Sequence, residues 1–300
     1  MKSYLKPFLL LSACLAYWDI SHMIVAAIAQ IQLERESPSI YQEAYSLLQS
    51  LVKFFSEDKS PFVEASVIPD VLKDENFRFL SSQHVFKTPI PYRNESSLNY
   101  HLQSRHNAIS ILEQTSSIFK STRKSQKVKP SLVKSFLLRY LIHLVGDLHQ
   151  PLHTSTLWSD TFRNGAYRLS DYGGHKIHLT KYNMTLHEFW DSAGMKYTSR
   201  LSLPLSNEDH EYIMKQAINL IDKFSSEKLK ADPKQINFDV WIKEGKELAE
   251  SQVYRDYIED LPNLPSFYKF ETQKECERLM VLGGFRLANL LTHLLTKNDA

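Results

Sequence analysis

Apolar residues recur at helical spacing along almost the whole chain, and this periodicity limits the possible folds more than any other feature of the sequence. His22, Val25, Ala26, Ala29 and Leu33 share one helical face, as do Tyr41, Ala44, Tyr45, Leu48, Leu51 and Phe55. Longer helices are predicted over 98–119 and 132–148, the second opened by Pro130-Ser131. Others fit 209–224, 238–257 and 271–295, the last with Leu279, Leu282, Phe285, Leu287, Leu290, Leu291 and Leu294 as its stripe. Only 8 of 300 residues are Gly, against 16 Phe and 15 Tyr. Few Gly and few β-branched runs argue against a β-sandwich or a Rossmann domain. A chain 43% hydrophobic and 23% charged is globular, not disordered, collagenous or rod-like. The expectation is an all-α, single-domain multi-helix bundle.

Two regions interrupt the helices. Residues 58–95 carry Pro61, Pro69, Pro89 and Pro91 and read as short helices joined by loops. Residues 154–183 contain Gly165, Gly173 and Gly174 and read as a long excursion with room for a short hairpin. Long loops inside a compact helical domain are usually functional. The basic, polar stretch 121–129 reads as a solvated connection. There is no internal repeat and no linker.

The chain opens Met1-Lys2-Ser3-Tyr4-Leu5-Lys6, followed by an apolar run from Pro7 to Leu15 and by Ala16. A basic head, a short apolar stretch and small residues describe a secretory signal peptide over 1–16. The alternative for that run is a buried first helix. Cleavage after Ala16 makes Tyr17 the first residue of a mature domain spanning 17–300. No stretch approaches the roughly 18 apolar residues of a membrane span, so no anchor is predicted. Loss of Cys14 with the leader leaves Cys276 alone and excludes an internal disulfide. Asn94 and Asn183 begin glycosylation sequons.

Twelve His against two Cys point to nitrogen and oxygen ligands, not thiolates. Lys and Arg total 36 and Asp and Glu 34, which excludes a polycation that holds nucleic acid by bulk charge. The densest cluster is His143-Leu-Val-Gly-Asp147-Leu-His149-Gln-Pro151-Leu-His153. His143 and Asp147, four apart on a helix, can grip one ion, and Pro151 can turn His153 back over the same face. The other reading of this segment is a buried His–Asp hydrogen bond with His149 and His153 exposed. His187 and Asp191 repeat the spacing. With His22, and with Asp70 and His84 from the irregular region, the candidates are five imidazoles and three carboxylates. That set suits zinc, and it is too large for one tetrahedral ion. A cluster of two or three ions is an arrangement used for phosphate-ester hydrolysis.

These motifs, in this order, resemble the secreted zinc-dependent single-strand-specific nucleases. That family shares an all-helical, three-zinc fold with the bacterial zinc phospholipase C enzymes. The resemblance covers residues 17–295. It is carried by Gly-Asp-Leu-His-Gln-Pro-Leu-His (146–153), Asp-Tyr-Gly-Gly (171–174), Leu-His-Glu-Phe-Trp-Asp (186–191) and Gly284-Phe-Arg286-Leu-Ala288. It implies three zinc ions per chain. Asp70, His84, His143 and Asp147 would hold the first, and His153, His187 and Asp191 the second. The amine and carbonyl of Tyr17, with His22 and a bridging Asp147, would hold the third.

The sequence departs from the family at several of these places. The family starts its mature chain with Trp five residues before the His; here that position is Tyr17, and Trp18 stands four before His22. Fungal members carry Arg where this chain has Lys73, a point charge without the bidentate fork. Val85 and Lys87 stand where fungal members hold the base with an aromatic residue and a carboxylate. His175 replaces the Asn that follows the glycine pair.

The implied activity is endonucleolytic hydrolysis of single-stranded RNA and DNA to 5′-phosphorylated products, with 3′-nucleotidase activity on nucleotides. Asp70 would orient or deprotonate the attacking water, and Lys73 would stabilise the developing charge. The enzyme is expected to act as a monomer, outside the cell or in a lysosome-like compartment. Two other readings remain at this level: a phospholipase C-like lipid phosphodiesterase, and a secreted zinc-binding module without turnover.

Overall fold

A computed structural model of the protein describes residues 18–74, 77–92, 105–122, 132–159, 169–224, 226–255 and 264–296. The helices and strands, in chain order, are α1 (Asp19–Glu36), α2 (Pro38–Leu48), α3 (Val52–Phe55), α4 (Pro61–Glu64), α5 (Ile68–Asp74), β1 (Thr88–Pro91), α6 (Ala108–Thr122), α7 (Leu132–Asp147), α8 (Pro151–Thr154), β2 (Ser155–Trp158), β3 (His178–Leu179), β4 (Met184–Thr185), α9 (Leu186–Asp191), α10 (Asn207–Lys223), α11 (Phe238–Leu248) and α12 (Ser266–Leu295). The fold is all-α, as the periodicity predicts. Strands among the described residues form two small sheets: β1 pairs in parallel with β2, and β3 with β4 in an antiparallel hairpin.

The centre of the bundle is α1, every residue of which is buried from Ile20 to Ala29. A helix apolar on all sides must be surrounded, and α1 packs on α12, α10, α4, α2 and α7. It approaches α12 closely at Gly284, where a Cβ would stand 2.5 Å from Ile28 Cγ2 and 3.0 Å from the Val25 carbonyl oxygen. Only glycine fits between the two backbones there. One apolar cluster joins Ile24, Ile28, Phe189, Trp190, Tyr268 and Met280, and a second joins Leu33, Phe62, Leu112, Leu141, Trp241 and Leu291.

Several boundaries differ from the periodic reading. The pattern from Tyr41 to Phe55 is split into α2 and α3, because residues 49–51 form a turn. The helix expected over 98–119 begins at Ala108, and residues 98–104 lie outside those described. The helix expected over 238–257 ends at Leu248 and continues as a π-turn over Ala249–Val253. α12 starts at Ser266, directly after Pro265.

A buried ion pair ties α7 to the segment after α3. Arg139 and Glu57 are both fully buried. The guanidinium donates Nε to Glu57 Oε1 (2.9 Å) and Nη2 to Oε2, while Nη1 reaches the Ser135 carbonyl (2.9 Å) and Nη2 the Leu48 carbonyl (3.1 Å). Removing the cation strands the carboxylate. Arg139→Ala is therefore expected to cost about 3–5 kcal/mol of stability, read as a lower denaturant midpoint.

Candidate metal centre

Six separate elements deliver the candidate ligands to one buried place. His22 comes from the first turn of α1, Asp70 from α5, and His84 from the end of the 3-10 turn Arg78–His84. α7 supplies His143 and Asp147, α8 supplies His153, and α9 supplies His187 and Asp191. All eight side chains are buried. They fall into three groups whose donor atoms lie within 4.8 Å of one another: Asp70, His84 and His143; His22, His143 and Asp147; and His153, His187 and Asp191.

Asp147 joins the groups. Its Oδ2 lies 3.1 Å from both His84 Nδ1 and His143 Nε2, and its Oδ1 lies 3.4 Å from His22 Nε2 and 3.2 Å from His153 Nδ1. Asp70 Oδ1 stands 3.6 Å from His84 Nδ1 and 3.8 Å from His143 Nε2. At the other end, Asp191 presents Oδ1 to His153 Nε2 (3.5 Å) and Oδ2 to His187 Nε2 (3.2 Å). Zinc–ligand bonds of ~2.0–2.2 Å put tetrahedral donors a little over ~3 Å apart, so these spacings fit shared ions.

Backbone carbonyls orient three of the rings. His143 Nδ1 donates to the Ser66 carbonyl (2.6 Å), His153 Nδ1 to that of His84 (3.0 Å), and His187 Nδ1 to that of Gly173 (2.7 Å). Each bond fixes the tautomer and leaves the Nε2 lone pair facing inward. Four inward atoms or their neighbours make no hydrogen bond: His84 Nε2, Asp147 Oδ1, His153 Nε2 and Asp191 Oδ2. Buried polar atoms in that state, among nitrogen and oxygen donors only, fit a bound cation.

Local sequence explains the placement. Thr185 and Glu188 form a reciprocal capping box at the start of α9, with Glu188 N–H on Thr185 Oγ1 (3.2 Å) and Thr185 N–H on Glu188 Oε2 (2.7 Å). The box sets the register that puts His187 and Asp191 one turn apart on the inner face. Gln150 caps α8 by accepting from the Leu152 N–H, and donates Nε2 to Asp191 Oδ1 (2.6 Å). Asp171 organises the glycine turn by accepting from Gly173 N–H (2.9 Å), Gly174 N–H (2.9 Å), Leu157 N–H (2.9 Å), Thr156 Oγ1 (2.8 Å) and Tyr254 Oη (2.6 Å). That turn holds the carbonyl on which His187 rests. Gln150 and Asp171 stand inside the quoted motifs, where no local pattern marks either as a positioning residue.

Charge favours a cation. Burial opposes ionisation of Asp70, yet Lys73, with its Nζ 2.6 Å from Oδ1, and the nearby imidazoles hold the carboxyl below its usual range. Burial likewise opposes ionisation of Asp147, and His143 and His153 hold it well below. Burial lowers His22 to about 4 and pushes His84 and His187 down, so these rings keep their lone pairs. His153 is driven the other way, to about 10, because Asp147 and Asp191 outweigh its burial. Burial raises Asp191 to about 6. Two buried carboxylates face one imidazole here, and a divalent cation satisfies the same charges.

The remaining candidates have distinct positions. Lys73 is buried and paired with Asp70. Val85 is half-buried. Lys87 is buried, donates to the Tyr172 carbonyl (2.6 Å) and lies 3.6 Å from the centre of the Tyr172 ring. His175 stacks on His187 with ring centres 3.7 Å apart. Asn183 is exposed in the turn between β3 and β4. Tyr17 and Asn94 lie outside the described residues. His149 is buried but belongs to no metal group, since Nδ1 donates to the Val145 carbonyl (2.7 Å) and Nε2 faces Arg286 Nη1 (3.2 Å). The alternative reading of this segment, with His149 and His153 exposed, is set aside by two buried rings in different settings.

The comparisons with known proteins agree with this geometry. A family model described as S1/P1 Nuclease matches residues 17–296. The chain is 23% identical over 298 residues to Endonuclease 3 of Arabidopsis thaliana, covering 95% of this chain and 91% of that protein.

Proposed function

The chain belongs to the S1/P1 nuclease family and is a phosphodiester hydrolase, and on that premise we propose that it is a three-zinc endonuclease of single-stranded RNA and DNA. The observation that carries this reading is Asp147, buried between two groups of imidazoles with one oxygen toward each. The first zinc is assigned to Asp70, His84, His143 and Asp147, and the second to His153, His187 and Asp191. The third is assigned to His22, Asp147 and the amine and carbonyl of Tyr17. Zinc held by these groups supplies Lewis-acid activation of water and of the phosphodiester. The chain's own residues do the rest. Asp70, kept ionised, accepts a hydrogen bond from the attacking water and orients it. Lys73 adds a fixed positive charge where the pentacovalent phosphorane and the leaving 3′-oxygen become negative. Products carry a 5′-phosphate, and a 3′-mononucleotide is a smaller substrate for the same groups. A recessed centre excludes the stiff duplex and admits a single strand, with Val85, Lys87 and His175 at the base-facing side.

The mature enzyme is assigned to residues 17–300, after removal of a 1–16 signal peptide and delivery outside the cell or to a lysosome-like compartment. The family match beginning at Tyr17 supports that boundary. No helix among the described residues is long and apolar enough to cross a membrane. Asn183, exposed in a hairpin turn, suits a glycan; Asn94 is the second proposed site.

The test is a substrate panel on chelated and zinc-restored protein. The expected result is cleavage of single-stranded RNA and DNA well above that of duplex, lost with chelator and recovered with zinc. Cleavage of phosphatidylcholine in place of nucleic acid would overturn the reading.

Gly146 offers a finer check. A Cβ there would sit 2.7 Å from His22 Nδ1 and 3.0 Å from Cε1, and His22 is stacked on His143 with ring centres 3.9 Å apart. Gly146→Ala must displace the ring. It is expected to weaken zinc binding or activity by about 10–100-fold, measured by zinc titration of stripped protein.

A further inference from the structure

Lys87 borders the base-facing side of the centre, yet its ammonium is engaged within the protein. The side chain is buried, and Nζ donates to the Tyr172 carbonyl (2.6 Å) and stands 3.6 Å from the centre of the Tyr172 ring. That carbonyl and the Gly173 N–H belong to one peptide plane. Asp171 Oδ1 accepts from the N–H (2.9 Å) while Lys87 holds the oxygen, so a single plane is pinned at both ends by opposite charges. Tyr172, Gly173 and Gly174 all have left-handed φ, of 60°, 66° and 85°. Tyr172 carries a Cβ and is strained there, and the two glycines have no side chain to limit their rotation. A Cβ on Gly173 would stand 2.9 Å from Lys87 Nζ and 3.1 Å from Cε, so glycine is what leaves room for the ammonium. The next carbonyl along the chain, that of Gly173, accepts from His187 Nδ1 (2.7 Å). Its direction follows from the plane before it, and the His187 ring follows the carbonyl. The root of Lys87 is fixed as well. Phe86 N–H donates to the His153 carbonyl (2.9 Å), and Thr88 opens the pairing of β1 with β2 opposite Ser155. Burial raises the Asp171 carboxyl, and the charge of Lys87 is among the influences that oppose the rise.

We propose that Lys87 is a positioning residue for the second zinc, acting through the Tyr172–Gly173 peptide and His187 and not by contact with the substrate. The proposal rests on the three-zinc reading. It adds that the hold on the second ion depends on a cation placed outside the ligand set.

The test follows the release of zinc from purified holoenzyme into excess EDTA, counted per chain. Lys87→Met keeps the length of the side chain and removes its charge and its donor. It is expected to release one zinc per chain about 10–100-fold faster than wild type, with the other ions leaving at wild-type rates. Lys87→Arg keeps the cation and should release the same ion only a few-fold faster, which keeps the test open where the methionine chain does not fold. The ion is identified in a His187→Ala background, which lacks the second zinc; there Lys87→Met should change the release of the remaining ions no further. With zinc in excess, Lys87→Met should recover kcat and keep the wild-type KM and preference among bases. Wild-type release of every ion from Lys87→Met would overturn the proposal. So would equal acceleration of all the ions in both variants, which marks a general structural role, or a changed base preference with unchanged zinc release, which marks contact with substrate. Each of these leaves the nuclease reading standing. A wild type that holds one zinc or none would overturn the three-zinc reading and this proposal together.

Discussion

Asp147→Asn is expected to lower cleavage of single-stranded nucleic acid by at least about a thousandfold, since several kcal/mol of charge stabilisation is lost with the metal centre. The substitution keeps the shape of the side chain and removes its charge. In the wild type the carboxylate stands between His84 and His143 on one oxygen and His22 and His153 on the other. An amide offers one oxygen only, and its NH2 must face one of those pairs. It then competes with a cation for the imidazole lone pairs. Zinc bound per chain should fall with activity, while circular dichroism stays that of the wild type, because Asp147 is surrounded by imidazoles and not by the apolar core. Activity within tenfold of wild type in a folded Asp147→Asn protein would remove the bridge from the mechanism.

One extra residue ahead of Tyr17 is expected to cost at least about a hundredfold in activity, a loss of the size that follows removal of one ligand shell's worth of ordering. An α-amine titrates near 7.7–8.0 and binds metal only when neutral, whereas an amide nitrogen in its place has no lone pair to give. Trp18 N–H donates to the Asp191 carbonyl (3.4 Å), and Ser21 N–H donates back to the Trp18 carbonyl (2.8 Å) at the start of α1. Trp18 is thus tied to the backbone of Asp191, and His22 follows one turn into the helix. Protein with a verified extra N-terminal residue and full activity would reject Tyr17 as a ligand. A chain starting at Trp18 should lose activity too, because its amine begins one residue too far along.

Helices were legible in the sequence where one face alternates with another, and the pairs His143–Asp147 and His187–Asp191 were legible because a helix turns the spacing of four into proximity. His22, Asp70 and His84 were not. They approach through tertiary packing of α1, α5 and a 3-10 turn on α7, and no local pattern marks such an approach. Their grouping came from the resemblance, and the geometry brings the same residues together. His149 shows the limit of motif reading, since it sits within the densest run of ligands yet turns away toward Arg286. The parallel pairing of β1 with β2 was hidden for another reason: Thr88-Pro-Ile-Pro91 carries two prolines, and the pairing partner lies more than sixty residues away. Ser66 and Gly173 could not be found from side chains at all, because what they give His143 and His187 is a carbonyl oxygen.

The most direct test of the central claim is the zinc content of mature protein, purified from a secretory host, with Tyr17 verified as its first residue. Mass spectrometry should find about three zinc ions per chain, one for each group of ligands, and about two in protein carrying an extra N-terminal residue. One ion or none per folded, unchelated chain would contradict the three-zinc account.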